Sequence, residues 1–317
     1  MLLAIARIAV ATLCLAVIDP AQAQDRTIVT LGTATPGGGF PVYGDAVARI
    51  INETDPTLLV QPRNTKGSAE NIPLLEAGAL DMALVQGEAA FEAMNDIGRP
   101  PANLKILAAM YTTPGMFVVR ADSAHRSIRD LVGHKVAFGA RGSGLVILAR
   151  YVLDGMGLDM DRDFQAIYLD RAGDGPAMVL DGRAAALWGG GRAWPGFTVM
   201  ANSQPGARFI TPSAEDIAGI RAKHRFLSSL VVPADSYPKQ DRDLNSVGSW
   251  SYIMMRPTLA DDVAYRVARA LHRGEDDLAR RLPQAQETTA ANTGVIVPRS
   301  ELHPGVARYL DEVRLLR

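Results

Sequence analysis

The sequence has 317 residues and a formal net charge of −1 at pH 7, from 33 basic and 34 acidic side chains. This balance excludes the strongly basic proteins that bind nucleic acid or acidic membrane surfaces. The length exceeds one ordinary hydrophobic core and predicts two lobes. The single cysteine, Cys14, lies in an apolar N-terminal stretch, so we expect no disulfide or thiolate chemistry in the remaining chain.

The N-terminus has the features of a secretory signal peptide. Arg7 precedes an apolar run over residues 8–18, which is shorter than the ~20 residues of a membrane-spanning helix. Residues 21–23 (AQA) match the small-residue cleavage site. We therefore expect removal of residues 1–23, a mature chain that begins at Gln24, and a periplasmic location. A buried N-terminal helix is the alternative.

Strands and helices alternate along most of the remaining chain. The first set has strands over residues 27–32, 58–61, 81–86, 106–111 and 116–120, with helices from Tyr43 onward and over residues 67–77. The second set has short or long helices over residues 128–131, 145–156 and 175–181, with strands over residues 135–139, 166–169 and 184–188. This order indicates a largely parallel sheet covered by helices. From Thr258 onward the pattern is mostly helical and charged.

Glycine-rich turns join strands to helices in both halves, at residues 37–39, 67–68 and 142–144. In an open α/β sheet, ligands bind at the carboxyl ends of the strands. Helix N-termini at that edge present free N–H groups and a partial positive charge, which suit a carboxylate. Two lobes with such turns predict a cleft that closes on a small anion.

Five segments, in one order and spanning nearly all of the mature chain, resemble the TAXI family. These proteins are the extracytoplasmic solute receptors of tripartite ATP-independent periplasmic (TRAP) transporters. Each segment alone is a weak signal, whereas five in order are fairly specific. The segments are residues 35–44 (TPGGGFPVYG), 65–71 (TKGSAEN), 81–86 (DMALVQ), 139–144 (GARGSG) and 235–241 (DSYPKQD).

The resemblance implies an α/β type II periplasmic-binding-protein fold, with two lobes joined by hinge strands. Lobe 1 would comprise residues 24–114 and 235–317, and lobe 2 would comprise residues 115–234. The implied function is capture of a small organic anion, such as glutamate or another carboxylate, and its delivery to the membrane permease subunits of a TRAP-type transporter. We expect the protein to be a monomer and to bind no nucleic acid.

The ligand loops depart from the family pattern. Gly39, Phe40 and Pro41 stand where the family has a threonine and paired tyrosines. Lys66 replaces a glycine, and Arg141 stands where proline is usual. These changes leave the scaffold intact and the ligand open. A binding protein for an ABC permease or a sensor kinase, and an enzyme on the same scaffold, remain as alternatives.

The candidate ligand-binding residues lie on these turns and strand ends. Ser68 and Ser143 either bind a carboxylate or cap a helix. Gln86 ends a buried strand, and its amide suits either a carboxylate or an ammonium group. The complete set is Gly38, Gly39, Phe40, Tyr43, Thr65, Lys66, Ser68, Gln86, Arg141, Ser143, Gly144, Trp188 and Arg192.

We expect Arg141 to make the main ionic contact, because a guanidinium group binds a carboxylate through two parallel hydrogen bonds. The alternative is a solvated loop arginine, and Lys66 has the same alternative. Phe40, Tyr43 and Trp188 would pack on the aliphatic part of a ligand. Tyr43 also fits the buried face of its helix.

The sequence has no complete catalytic motif. Residues 142–144 lack the first glycine of a nucleophile elbow, and neither a P-loop nor a complete dinucleotide-binding motif is present. The five histidines are scattered without metal-ligand spacing. We therefore expect a binding protein without enzyme activity, metal or cofactor.

Secretion predicts a defined change in mass. The exported protein should lack residues 1–23, because signal peptidase cuts after a small-x-small site. Intact mass spectrometry of protein recovered from the periplasm measures this directly. A mass that still includes those residues would contradict the prediction.

Overall fold

The computed structural model describes residues 26–316. The expected signal peptide, Cys14 and the expected new N-terminus at Gln24 lie outside the described residues. The strands are β1 Thr27–Gly32, β2 Leu58–Arg63, β3 Met82–Gln86, β4 Lys105–Arg120, β5 Lys135–Ala140, β6 Gln165–Leu169, β7 Ala186–Gly190, β8 Ala207–Ile210, β9 Ser228–Val232 and β10 Leu244–Met255. The helices are α1 Gly39–Thr54, α2 Ser68–Glu76, α3 Gly87–Met94, α4 Gly144–Gly155, α5 Gly175–Leu180, α6 Pro195–Asn202, α7 Ala214–Lys223, α8 Asp261–Arg273, α9 Glu275–Arg281, α10 Ala290–Ile296 and α11 Pro304–Glu312.

The sheet of lobe 1 has the order β2-β1-β3-β10-β4. Its first three strands are parallel, and β10 runs antiparallel to both β3 and β4. Every residue of β3 is buried, because helices cover both faces of a parallel sheet. The buried strand that the sequence predicts over residues 81–86 is confirmed for Met82–Gln86.

The sheet of lobe 2 continues from β4 in the order β4-β7-β5-β6. Here β5 is parallel to β6 and β7, whereas β4 is antiparallel to β7 and β8. Strand β7 covers Ala186–Gly190, two residues later than predicted. Two glycines that the sequence assigned to a turn thus belong to the strand, which brings the backbone of Gly190 to the space between the lobes.

One prediction about the connection between the lobes was wrong. The sequence pattern indicated two separate strands over residues 106–111 and 116–120, but the structure has the single strand β4, which belongs to both sheets. Pro114 and Gly115 do not end it, because its neighbours continue the hydrogen-bonded ladder on either side.

The second long strand, β10, crosses beside β4 and also pairs with β9. The lobe boundaries that we expect between residues 114 and 115 and between residues 234 and 235 stay predictions. Tyr237 and Leu244, which the second boundary assigns to lobe 1, pack with Trp194 and Phe197 of lobe 2.

Each lobe has its own apolar core. The lobe 1 core lies between its sheet and helices α1, α2, α8 and α11. Lobe 2 has one cluster on each face of its sheet, around Phe117 and Phe138 on one side and around Phe197 on the other. Among residues 26–316, no helix combines the length and apolar character that crossing a bilayer requires.

The N-termini of two helices differ from the sequence-based expectation. Helix α1 begins at Gly39 rather than near Tyr43, so its first turn lies within the glycine loop. Ser68 does not cap α2. Gly67 occupies the cap position, and the Ser68 hydroxyl oxygen accepts a hydrogen bond from the backbone of Gln86. Ser143 does cap α4, because its hydroxyl oxygen accepts from the backbone N–H of Leu145 at 3.1 Å.

The close approach of β4 and β10 can be tested by measuring the stability of two variants. A Cβ on Gly248 would lie 2.0 Å from the carbonyl oxygen of Thr113, so Gly248→Ala must displace a strand. We expect it to lower the free energy of unfolding by about 1–3 kcal/mol, as overpacking does. Gly219→Ala in helix α7 is the matched control, since its Cβ would meet only the Gly155 carbonyl oxygen at 3.5 Å.

Alanine at 219 should leave stability unchanged or raise it by up to ~1 kcal/mol, because alanine favours a helix. Urea unfolding followed by circular dichroism measures both variants. Equal stability of the two would contradict a close approach of the crossing strands.

Candidate functional site

A cavity lies between the two lobes. Its walls come from the carboxyl ends of β3 and β5, from the glycine loops, and from the crossing strand β4. The lining residues are Ala34, Thr35, Gly38, Gly39, Phe40, Lys66, Gly67, Ser68, Gln86, Tyr111, Thr113, Ala140, Ser143, Gly144, Leu145, Ala172, Gly190, Trp194 and Gln284.

Three helices begin at the cavity. The first residues of α1, α2 and α4 are Gly39, Ser68 and Gly144, and all three line the cavity. Helix N-termini carry a partial positive charge and unpaired N–H groups. Three positive helix ends therefore meet at the cavity, and the charge of the ligand stays a prediction.

The cavity wall carries positive side-chain charge and no negative side-chain charge. Lys66 is the only charged side chain among the lining residues, and no aspartate, glutamate or histidine joins it there. Burial raises the pKa of Tyr111 well above its ordinary value, so its hydroxyl stays protonated. The wall offers hydroxyl, amide and backbone groups to a solute, with one lysine at the edge.

The lobes touch through their glycine loops. The backbone N–H of Ala69 donates to the carbonyl of Gly142 at 3.1 Å, and that of Gly173 donates to Pro36 at 3.3 Å. The N–H of Ala172 also donates to the Thr35 hydroxyl oxygen at 3.1 Å. These contacts enclose the cavity from both lobes.

Eight of the predicted ligand residues line the cavity. They come from all four predicted strand ends and loops, because the carboxyl ends of the parallel strands meet at one edge. Whether they contact a ligand stays a prediction. The eight are Gly38, Gly39, Phe40, Lys66, Ser68, Gln86, Ser143 and Gly144.

Three further candidates have structural partners instead. The Tyr43 side chain is fully buried, and its hydroxyl is 3.0 Å from that of Thr288. Trp188 is also fully buried, with its indole N–H donating to the carbonyl of Leu145 at 2.7 Å. The Thr65 hydroxyl accepts from the backbone of Gly67 and thereby shapes the second loop. These three side chains therefore support the walls from behind.

The two candidate arginines lie outside the cavity lining. The guanidinium of Arg141 stacks over the ring of Tyr168, 4.4 Å from its centroid, and the residue is exposed. Arg192 donates to the Gln286 side chain at 3.3 Å. Arg141 is thus not among the lining residues in this arrangement, in which its guanidinium stacks on Tyr168, and its contact with a ligand stays a prediction.

Sequence reasoning missed part of the wall. Thr35 and Gly67 lie in the segments 35–44 and 65–71, whose resemblance to the TAXI family was a sufficient signal to predict them as lining residues. Tyr111 and Thr113 line the cavity because β4 passes behind it, which the split into two strands concealed. Gln284 comes from a short turn near the C-terminus, and no local signal marks it.

A model of the NMT1-like family matches residues 31–313 of the chain. Among solved structures, the periplasmic aliphatic sulphonate binding protein SsuA from Escherichia coli is 19% identical, with a TM-score of 0.50 over 90% of this chain and 83% of that one. The alkanesulfonate-binding protein SsuA from Xanthomonas axonopodis pv. citri, bound to MOPS, is 17% identical, with a TM-score of 0.51 over 90% and 83%.

A putative L-cystine ABC transporter from Listeria monocytogenes is also 17% identical, with a TM-score of 0.51 over 83% of this chain and 98% of that one. At these identities the likeness concerns the fold. The predicted α/β type II periplasmic-binding-protein fold is confirmed.

The contact between the loops of the two lobes allows closure of the lobes to be tested. A Cβ on Gly142 would lie 2.9 Å from the Cβ and the carbonyl oxygen of Lys66 in the other lobe, so Gly142→Ala should hold the lobes apart. Gly173→Ala is the control, since its Cβ would meet its nearest neighbours in the other lobe at 3.4 Å and 3.6 Å.

Small-angle X-ray scattering should give a larger radius of gyration for Gly142→Ala than for Gly173→Ala, with unfolding midpoints similar to the parent. If the two variants scatter identically, the glycine at 142 is not what permits closure.

Proposed function

The chain belongs to the NMT1-like family, and from this premise we propose that it is an extracytoplasmic solute-binding protein that captures a small organic anion between its lobes. The observation that carries the proposal is the cavity itself, since both lobes contribute helix N-termini to it. A solute that bridges the lobes stabilises the closed state through contacts that the open state lacks. The proposed lobe boundaries are those given above, with hinge bending in β4 and β10.

An anionic solute is supported by the charges at the cavity. The lining has one lysine and no carboxylate, and a cationic solute would face three positive helix ends without a counter-charge. Phe40, Leu145 and Trp194 supply apolar surface for the carbon skeleton. A carboxylate or sulfonate group on a short carbon chain fits this combination.

Binding without turnover is supported by the same lining. General acid–base or nucleophilic chemistry needs a titratable or activated group in reach of the substrate. The lining residues include hydroxyls and amides but no histidine, cysteine, aspartate or glutamate. No histidine, aspartate or glutamate lies beside Ser68 and Ser143 in the lining, and their oxygens accept from backbone N–H groups.

We propose delivery of the solute to a membrane importer. An ABC-type permease is the first candidate, because the similar solved structures are named as sulphonate-binding and L-cystine ABC proteins. A TRAP-type transporter is the second candidate, carried by the five segments that resemble its receptors. The signal peptide expected over residues 1–23 supports a periplasmic location in either case.

Cargo analysis tests the proposed function. Native mass spectrometry of the purified protein should reveal a retained small anion, because a solute enclosed between closed lobes dissociates slowly. The released cargo can then be identified and titrated back. A cationic cargo, or chemical conversion of the cargo by the protein, would contradict the proposal.

The importer class needs a separate test. The cargo-loaded protein should drive uptake into vesicles that contain its cognate permease. Dependence on ATP would identify an ABC importer, and dependence on an ion gradient without ATP would identify a TRAP transporter.

The two exposed cations near the cavity should differ in their effect on affinity. Lys66→Ala should weaken binding of the recovered anion by about three- to tenfold, less than a buried ionic hydrogen bond would, because the residue is solvent-exposed. Arg141→Ala should change affinity by less than about threefold, because Arg141 lies on Tyr168 outside the cavity. Isothermal titration calorimetry at constant ionic strength measures both, and a larger loss for Arg141→Ala would restore the sequence-based expectation.

A further inference from the structure

A buried carboxyl group lies directly behind the cavity. Glu88 is the second residue of α3, and its side chain has no exposed surface. Its Oε1 accepts a hydrogen bond from the Ser249 hydroxyl at 2.7 Å, on the crossing strand β10. Among the described residues, Oε2 has no hydrogen-bond partner. Buried polar atoms are rarely left unpaired, so the free oxygen needs an explanation.

The neighbouring side chain, Gln86, is also incompletely paired. It is 3% exposed and lines the cavity, and its Nε2 has no partner among the described residues. Its Oε1 faces Gly144, since a Cβ built on that glycine would lie 3.1 Å from this oxygen. The amide oxygen therefore lies beside Gly144, which lines the cavity, while the amide nitrogen is buried.

The two incomplete groups are close to each other. Burial raises the pKa of Glu88 to about 7, and the nearby Gln86 side chain is among the groups that lower it. No hydrogen bond of normal length joins them in this arrangement. A small shift of either side chain would pair the free N–H group with the free carboxylate oxygen.

We propose that Glu88 is a positioning residue for the cavity: it holds the Gln86 amide nitrogen, so that the amide oxygen faces the solute. This inference rests on the proposed function. A wall with a fixed hydrogen-bond acceptor prefers an anion that also carries an N–H or O–H donor, such as an amino acid or a hydroxy acid. An analogue that lacks this donor would bind more weakly, because it would leave the Gln86 amide oxygen without a hydrogen bond.

The charge of Glu88 decides the orientation of the amide. If the amide were reversed, its oxygen would face the carboxylate, and two acceptors would repel each other. A protonated Glu88 is itself a donor and tolerates the reversed amide, which would place an N–H group in the cavity. Because the pKa of Glu88 is raised to about 7, the fixed orientation is present above that pH and is lost as the pH falls below it.

The titratable groups around Glu88 do not reverse this sign. Glu92, one turn along α3, raises the pKa of Glu88 further. Tyr151 of α4 and Tyr252 of β10 both feel the charge of Glu88, and burial raises the pKa of each, so both stay neutral. Arg150 lies beside Tyr151 and pairs with Glu92 at 3.4 Å.

Side-chain NMR tests the positioning role without any ligand. The Gln86 amide resonances, assigned by comparison with Gln86→Leu, should titrate with a midpoint near pH 7 in the parent protein. They should be independent of pH between 5.5 and 8.5 in Glu88→Gln, which keeps the side-chain shape and removes the charge. Glu92→Gln is the control and should retain the titration. Resonances that ignore pH in the parent, or that titrate unchanged in Glu88→Gln, would overturn the proposal.

Paired probes test the selectivity. Glutamate and glutarate differ only by the amino group, and malate and succinate differ only by a hydroxyl group. At pH 8 the parent should prefer the donor-bearing member of a pair by at least about tenfold, and Glu88→Gln should reduce this preference to less than about threefold. A preference that is unchanged in Glu88→Gln would overturn the role of Glu88. Binding of neither member of either pair would count against the proposed ligand class, while the amide titration still decides whether Glu88 positions Gln86.

Discussion

The close antiparallel pairing of β4 and β10 is the constraint on which the rest of the structure depends. Both strands belong to lobe 1 at one end and extend toward lobe 2 at the other, and β4 carries the lobe 2 sheet. Gly248 lies against Thr113 where no side chain would fit. Because paired strands of the two lobes cross here, bending at this point can change the gap between the lobes while each core stays packed.

Glycines at the facing loops make a second kind of close approach. Gly67 and Gly142 meet across the gap, as do Gly37 and Gly173, and backbone groups of the two lobes hydrogen-bond beside both pairs. Side chains at Gly37, Gly67 or Gly142 would hold the lobes apart. The loops thus combine two roles, since they lead into helix N-termini and also allow the close approach of the lobes.

The polarity of the cavity follows from this arrangement of backbone. Three positive helix ends and a single charged side chain, Lys66, are present in its lining. The carboxyl of Glu88 is fully buried and lies outside the lining, whereas Gln86, two residues earlier in the chain, lines the cavity.

The sequence alone determined the α/β class, the strand-turn-helix order and the loops that meet at the cavity. These features depend on local periodicity and on glycine, which act over a few residues. Only the tertiary structure decided which side chains line the cavity. The Arg141 guanidinium stacks on Tyr168 of the next strand and lies outside the lining, and Gln284 reaches the wall from a turn that follows Trp194, the preceding lining residue, by 90 residues (284 − 194). Side-chain direction is set by neighbours distant in sequence, and no local pattern encodes them.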